Sequence, residues 1–175
     1  MDIEGDTYQL RHITFSAPDT HEIYFNSDVV FKAVVRNTNF GRVHDFTDKA
    51  GNKLLELKHV RSLVPTNEIW QNGQSILKMT QPFQGQYRLE GEGTGGKYVV
   101  DVDEMLEKAS GGTKAIGSWK IIDGESVTRA VIRVADRFNS TYSIVVAAGA
   151  ETHVVLCLCV LLSETIGFGP ALPSM

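Results

Sequence analysis

A chain of 175 residues with 17 Lys+Arg against 21 Asp+Glu has a net charge of −4, and 42% of its residues are hydrophobic. That length suits one domain over residues 1–175, able to bury a core without disulfides or metal. The apolar content excludes a disordered chain, and the mild acidity argues against a general nucleic-acid binder.

The N-terminus, Met1-Asp2-Ile3-Glu4-Gly5-Asp6, is acidic and lacks the charged-then-apolar layout of a secretory leader. Turn signals then recur at short intervals: Asn26-Ser27-Asp28, Asn39-Phe40-Gly41, Asp48-Lys49-Ala50-Gly51, Asn72-Gly73, Gly91 to Gly96, Gly111-Gly112, Asp123-Gly124 and Asn139-Ser140. Between them lie β-branched and aromatic runs, which predicts strands over 8–15, 21–25, 29–36, 42–46, 53–60, 67–71, 75–80, 86–90, 97–102, 118–122, 127–135 and 141–147. Alternation is clear in several. Phe31, Ala33 and Val35 share one face opposite Lys32 and Arg36, and Ala130, Ile132 and Val134 oppose Arg129 and Arg133.

Residues 103–116 break the rhythm; they are mixed and Gly-rich, and read as a surface excursion with one helical turn over 103–108. The segment Glu151 to Ile166 is long enough for a helix, with Gly149 before it, Glu151 in its first turn and Gly167 after it. Its centre, Val154, Val155, Leu156, Cys157, Leu158, Cys159, Val160, Leu161 and Leu162, is apolar in every direction. Such a helix has to be enclosed by protein; a terminal strand is the competing reading of the same run. As a helix these nine residues span about 14 Å against a ~30 Å bilayer core, which argues against a transmembrane span. Cys157 and Cys159 make a poor disulfide and match no zinc spacing, and two free apolar thiols suit a reducing compartment.

A closed barrel of about a dozen strands is too wide for its own side chains to fill, and a helix about 10 Å across is a suitable plug. The expected fold is therefore mostly β, a closed antiparallel barrel of about twelve strands around a hydrophobic C-terminal helix.

Asp48-Lys49-Ala50-Gly51-Asn52-Lys53-Leu54-Leu55-Glu56-Leu57, then Ser62-Leu63, Glu68-Ile69-Trp70 and Gly73, resembles the first half of LURP-one-related proteins. Asp136-Arg137-Phe138, then Thr141-Tyr142-Ser143-Ile144-Val145-Val146-Ala147-Ala148-Gly149 and the apolar helix, resembles their C-terminal half. These proteins belong with the tubby C-terminal domain and the phospholipid scramblases. The resemblance covers roughly residues 29–166 and implies a twelve-stranded barrel around a hydrophobic helix. It also implies phosphoinositide binding, or protein interaction in stress or defence responses.

Gly91-Glu92-Gly93-Thr94-Gly95-Gly96 satisfies G-x-G-x-x-G, but Lys97-Tyr98-Val99-Val100 after it is a strand where a dinucleotide site requires a helix. A hairpin loop is the expected structure. The five histidines, His12, His21, His44, His59 and His153, have no pair at helical or strand ligand spacing, so no metal site is expected unless the fold brings them together. The carboxylate pairs Asp101/Asp103 and Asp123/Glu125 lie beside turns and read as solvated turn acids. There is no G-x-S-x-G elbow and neither Cys has a nearby base. No enzyme and no cofactor are expected.

Charge is uneven along the chain. Residues 1–28 carry −5, residues 29–80 carry +4 and residues 81–175 carry −3. On the alternation, Lys32, Arg36, Lys58 and Lys78 point outward, and with Arg61 at a strand end they would form a basic face. The leading expectation is a non-enzymatic, cytoplasmic or peripheral-membrane module that binds a phosphoinositide or other anionic lipid through that face. A protein-interaction module and an enzyme with a pocket at the barrel mouth are the alternatives. The enzyme reading requires a cluster of perturbed acids or histidines in one cleft.

Overall fold

The computed structural model describes residues 3–13, 18–39, 41–60, 66–81, 88–107, 114–136 and 141–165. Twelve strands follow in chain order: β1 Gly5–Ile13, β2 Thr20–Phe25, β3 Asp28–Thr38, β4 Gly41–Asp48, β5 Lys53–Val60, β6 Thr66–Gln71, β7 Gln74–Thr80, β8 Leu89–Gly93, β9 Gly96–Glu107, β10 Lys114–Asp123, β11 Thr128–Asp136 and β12 Thr141–Ala147. Each pairs antiparallel with its neighbours in sequence, and β1 pairs with β12 to close the ring. Closure leaves no unpaired sheet edge. Helix α1, Thr152–Thr165, completes the fold.

Tight turns set the register. Asn26 and Ser27 both have positive φ between the paired residues Phe25 and Asp28, and Asn72 and Gly73 do the same between Gln71 and Gln74. Two-residue turns of this hand match the twist of the flanking strands. The expected alternation holds: Ala33 and Val35 are buried while Lys32 and Arg36 are exposed.

The apolar run is a helix, and Val154 to Leu162 are each at most 4% exposed. α1 packs against β5 and β6 and also against β11 and β12, which stand on opposite sides of the ring, so the helix fills the lumen. Burying each large aliphatic side chain is worth about 1.5–3 kcal/mol as an upper estimate. Glu151 precedes the helix, and its carbonyl accepts the first intrahelical bond from the Val155 amide at 3.0 Å. No helix among the described residues is long and apolar enough to cross a membrane.

The reading of residues 103–116 is corrected. β9 runs on to Glu107 and β10 begins at Lys114, with Met105 opposite Ile116, Leu106 opposite Ala115 and Glu107 opposite Lys114. Acidic residues are poor strand formers, but the partner strand outweighs local propensity here. Residues 108–113 lie outside the described residues, as do Arg61 and the expected turn at Asn139-Ser140.

Gly91-Glu92-Gly93-Thr94-Gly95-Gly96 is a hairpin loop: Gly93 pairs with Gly96 between β8 and β9. A Cβ on Gly91 would collide with the Lys78 carbonyl of β7. That glycine is therefore required by close strand approach, with no phosphate needed to explain it.

Candidate functional site

The inward faces of β1, β2, β4 and β5 each contribute one histidine at the same end of the barrel. His12 stands opposite His21 in the β1–β2 ladder, and their rings stack with centroids 4.6 Å apart. The His21 and His44 rings are 6.0 Å apart, and those of His44 and His59 are 5.3 Å apart. His153 is separate: it lies in the first turn of α1, exposed, with its ring edge-on to Phe31.

The last turn of α1 brings Glu164 to this histidine row. Its Oε1 lies 3.3 Å from His21 Nε2 and 3.4 Å from His44 Nε2, while its Oε2 lies 3.6 Å from Arg42 Nη1. A carboxylate in the last turn sits at the unfavourable, negative end of the helix dipole. Its position is explained by the imidazoles and the guanidinium that it faces.

This cluster is deeply buried and incompletely bonded. His44 is 0% exposed and His21 2%. His21 Nδ1, His44 Nδ1, His44 Nε2 and His59 Nε2 are buried without a hydrogen-bond partner. Each such atom costs about 1–3 kcal/mol when left unpaired. His59 Nδ1 lies 2.5 Å from the Asn67 side-chain oxygen, an acceptor, so the proton is on Nδ1 and Nε2 carries the lone pair.

Burial pushes the His21 imidazole down to about 4, against the attraction of Glu164. Burial works to raise Glu164, but His44, His21 and Arg42 outweigh it and hold the carboxyl at about 2. At neutral pH His21 is therefore neutral and Glu164 ionised. His59 is likewise lowered, mainly by burial. Perturbed histidines and an acid therefore do gather in one place, as the enzyme reading requires, but His21 and Glu164 are moved away from the neutral range in which a general acid or base works best. Their forms instead suit the binding of a cation.

Beside the cluster, running from the outer face of β3, β4 and β5 onto the rim of the barrel, lies a groove of about 430 Å³ lined by Arg36, Arg42, Glu56, Lys58, His59 and Val60, among others. His59 and Arg42 belong to both regions.

The structure separates the expected basic residues into two kinds. Arg36 and Lys58 meet in this groove. Lys32 lies beside a different hollow with Lys49 and Asp48, and its Nζ is 3.9 Å from Glu22. Lys78 is exposed on β7, with Glu68 and Glu92 as its cross-strand partners. Arg36 is bridged to Asp45 at 2.9 Å and to Glu56 at 2.9 Å, and Lys53 reaches the same two acids at 3.5 and 3.4 Å. Lys58 Nζ sits 3.8 Å above the Trp70 ring.

The expected turn acids have structural tasks. Asp123 accepts the Glu125 and Val127 amides at 2.9 and 3.0 Å and binds Arg129 Nε at 2.7 Å. Asp101 and Asp103 are not beside a turn: both lie within β9, where Asp101 stands opposite Lys120 and binds Arg88 Nη1 at 2.9 Å.

The histidine–glutamate cluster is the feature that sequence spacing missed. Its members come from positions 21, 44 and 164, and only inward alternation on β2 and β4 together with a polar residue ending an apolar helix hinted at it. Compared with protein-family models, with curated proteins and with solved structures, the chain matches none.

Proposed function

We propose that this protein is a non-enzymatic binding module that takes the anionic headgroup of a membrane lipid, such as a phosphoinositide, in the groove outside β3, β4 and β5. The observation that carries the reading is the groove itself, where Arg36, Arg42 and Lys58 converge with Glu56 as the one acid among the residues named. Guanidinium groups supply paired, planar donors that match phosphate oxygens, and Lys58 adds a point charge. Arg36 already bridges Asp45 and Glu56, and Arg42 bridges Asp19 and Glu164, so the phosphate takes these donors in exchange for carboxylates. The resemblance to the LURP-one-related and tubby-like proteins points the same way.

Sedimentation of the full chain with liposomes tests it. Phosphatidylcholine vesicles carrying a phosphoinositide are expected to bring the protein down at low salt, where surface electrostatics are strongest, and pure phosphatidylcholine vesicles are not. Arg42→Gln and Lys58→Gln are expected to weaken the association. Absence of binding to the anionic vesicles at low salt overturns the proposal.

A further inference from the structure

We infer that His21, His44 and Glu164 form a binding site for a divalent first-row transition ion, Zn2+ above all, at the end of the barrel lumen. The inference stands independently of the headgroup reading.

Three observations carry it. The first is the donor set: two imidazole nitrogens and one carboxylate oxygen, with the three ligand atoms all within 4.8 Å of one another. Imidazole with carboxylate is a common zinc set, and three protein ligands leave one position for water or another ligand.

The second is spacing. In a tetrahedral site with bonds of about 2.0–2.1 Å, ligand atoms stand about 3.3–3.4 Å apart. Glu164 Oε1 is 3.3 Å from His21 Nε2 and 3.4 Å from His44 Nε2. Two edges of such a tetrahedron are already in place, both sharing the carboxylate oxygen; the third, between the two imidazoles, lies within 4.8 Å and has to close as the ion binds.

The third is the unmet bonding of the buried imidazoles. His44 is fully buried, its Nδ1 has no hydrogen-bond partner, and its Nε2 meets only Glu164 Oε1, at 3.4 Å and without hydrogen-bond geometry. A core histidine kept only for packing would be expected to pair at least one nitrogen. An ion coordinated by His44 Nε2 gives that atom its bond.

Arg42 fits the site as a positioning residue. Its Nη1 lies nearer one carboxylate oxygen, Oε2 at 3.6 Å, while Oε1 is the oxygen nearest both imidazoles. Partners of this kind orient a ligating carboxylate from outside the coordination sphere. Glu164 keeps 15% side-chain exposure, which gives an ion a route from solvent.

The test is Zn2+ titration of the full chain after chelator treatment and dialysis, read by a competing chromophoric chelator and by thermal unfolding. The expected result is one Zn2+ per chain, with the melting temperature raised by about 5–10 °C at a hundredfold excess over Kd. Glu164→Gln keeps the side-chain volume at a partly exposed position and is expected to fold, to bind at least tenfold more weakly and to lose most of the thermal shift. His44→Gln is expected to do the same, and His153→Gln, on the exposed start of the helix, to bind like the parent protein. Absence of stoichiometric binding by the parent protein overturns the inference. So does undiminished binding by Glu164→Gln.

Discussion

Arg42 reaches across the end of the barrel to Glu164, with Nη1 3.6 Å from Oε2. The contact ties β4 in the wall to the last turn of the enclosed helix. It also joins the two candidate regions, because Arg42 lines the outer groove and Glu164 meets the inner histidines.

Removing that cation should be measurable in stability. The Glu164 side chain is 15% exposed and Arg42 45%, so the pair lies between a buried and a surface bridge. Arg42→Gln is expected to lower unfolding free energy by about 1 kcal/mol in low salt, with less difference in high salt. Urea denaturation at two ionic strengths measures it. An equal loss at both would mean that Arg42 acts through packing.

The enclosed helix makes a sharper prediction. Leu158 is 0% exposed, so Leu158→Ala should cost about 2–5 kcal/mol through lost burial and a cavity. Leu158→Asp adds an unpaired charge to the lumen and is expected to abolish the cooperative unfolding transition. Circular dichroism and calorimetry would show it. A cooperatively folding Leu158→Asp protein would place the helix outside the barrel.

Alkaline pH should weaken the same region. Burial pushes the Cys157 thiol up to about 12 from a usual 9.0 and raises Cys159 as well. A group whose folded pKa is raised contributes stability that is intact below the unfolded pKa and is lost as pH rises toward the folded one. The urea midpoint is therefore expected to fall progressively from about pH 9 upward, and Cys157→Ala with Cys159→Ala to flatten that decline. Near pH 8 a thiol reagent should label both cysteines only after denaturant is added.

The architecture was legible in the sequence where one residue property decides it. Nine consecutive apolar residues have to be enclosed, and Asn26-Ser27 and Asn72-Gly73, each between alternating runs, form the two-residue turns that their types favour. The far half of β9 was not legible, because Asp103, Glu104 and Glu107 suppress strand propensity and their pairing with β10 is not local. The histidine–glutamate cluster was hidden for the same reason at longer range. His21 and His44 are separated by β3, and Glu164 joins them only because the last turn of the enclosed helix ends beside them. The basic region of residues 29–80 was visible as a sum of charges. What the sum could not convey is that Asp45 and Glu56 engage Arg36, and that Lys78 stands between two glutamates.

Gly91 tests the hairpin reading of the glycine-rich loop. Any side chain there meets the Lys78 backbone, so Gly91→Ala should cost about 1–3 kcal/mol as the β7–β8 pair adjusts. Gly73→Asn, at a position with φ of 79° and open space around a new Cβ, should cost less. Denaturant titration of the two variants measures the contrast, and equal losses would show that backbone approach is not what requires the glycine at position 91.

Lys58 and Lys78 separate a groove from a diffuse basic face. Both are outward-facing lysines on neighbouring parts of the sheet, so a binding mode driven by overall charge would respond equally to either. Their surroundings differ: Lys58 lies on the Trp70 ring at the groove, whereas Lys78 has Glu68 and Glu92 as its cross-strand partners. If the headgroup sits in the groove, Lys58→Gln should weaken phosphoinositide-liposome binding several-fold and Lys78→Gln should change it little. The Trp70 ring gives an internal reporter, because a phosphate that draws the ammonium away alters the field at the indole. Addition of a soluble inositol phosphate is expected to change tryptophan emission in the parent protein and not in Trp70→Phe, whose remaining indole, Trp119, is fully buried. An equal loss of binding in Lys58→Gln and Lys78→Gln, with no emission change, would mean that net charge attracts the membrane and that the groove does not.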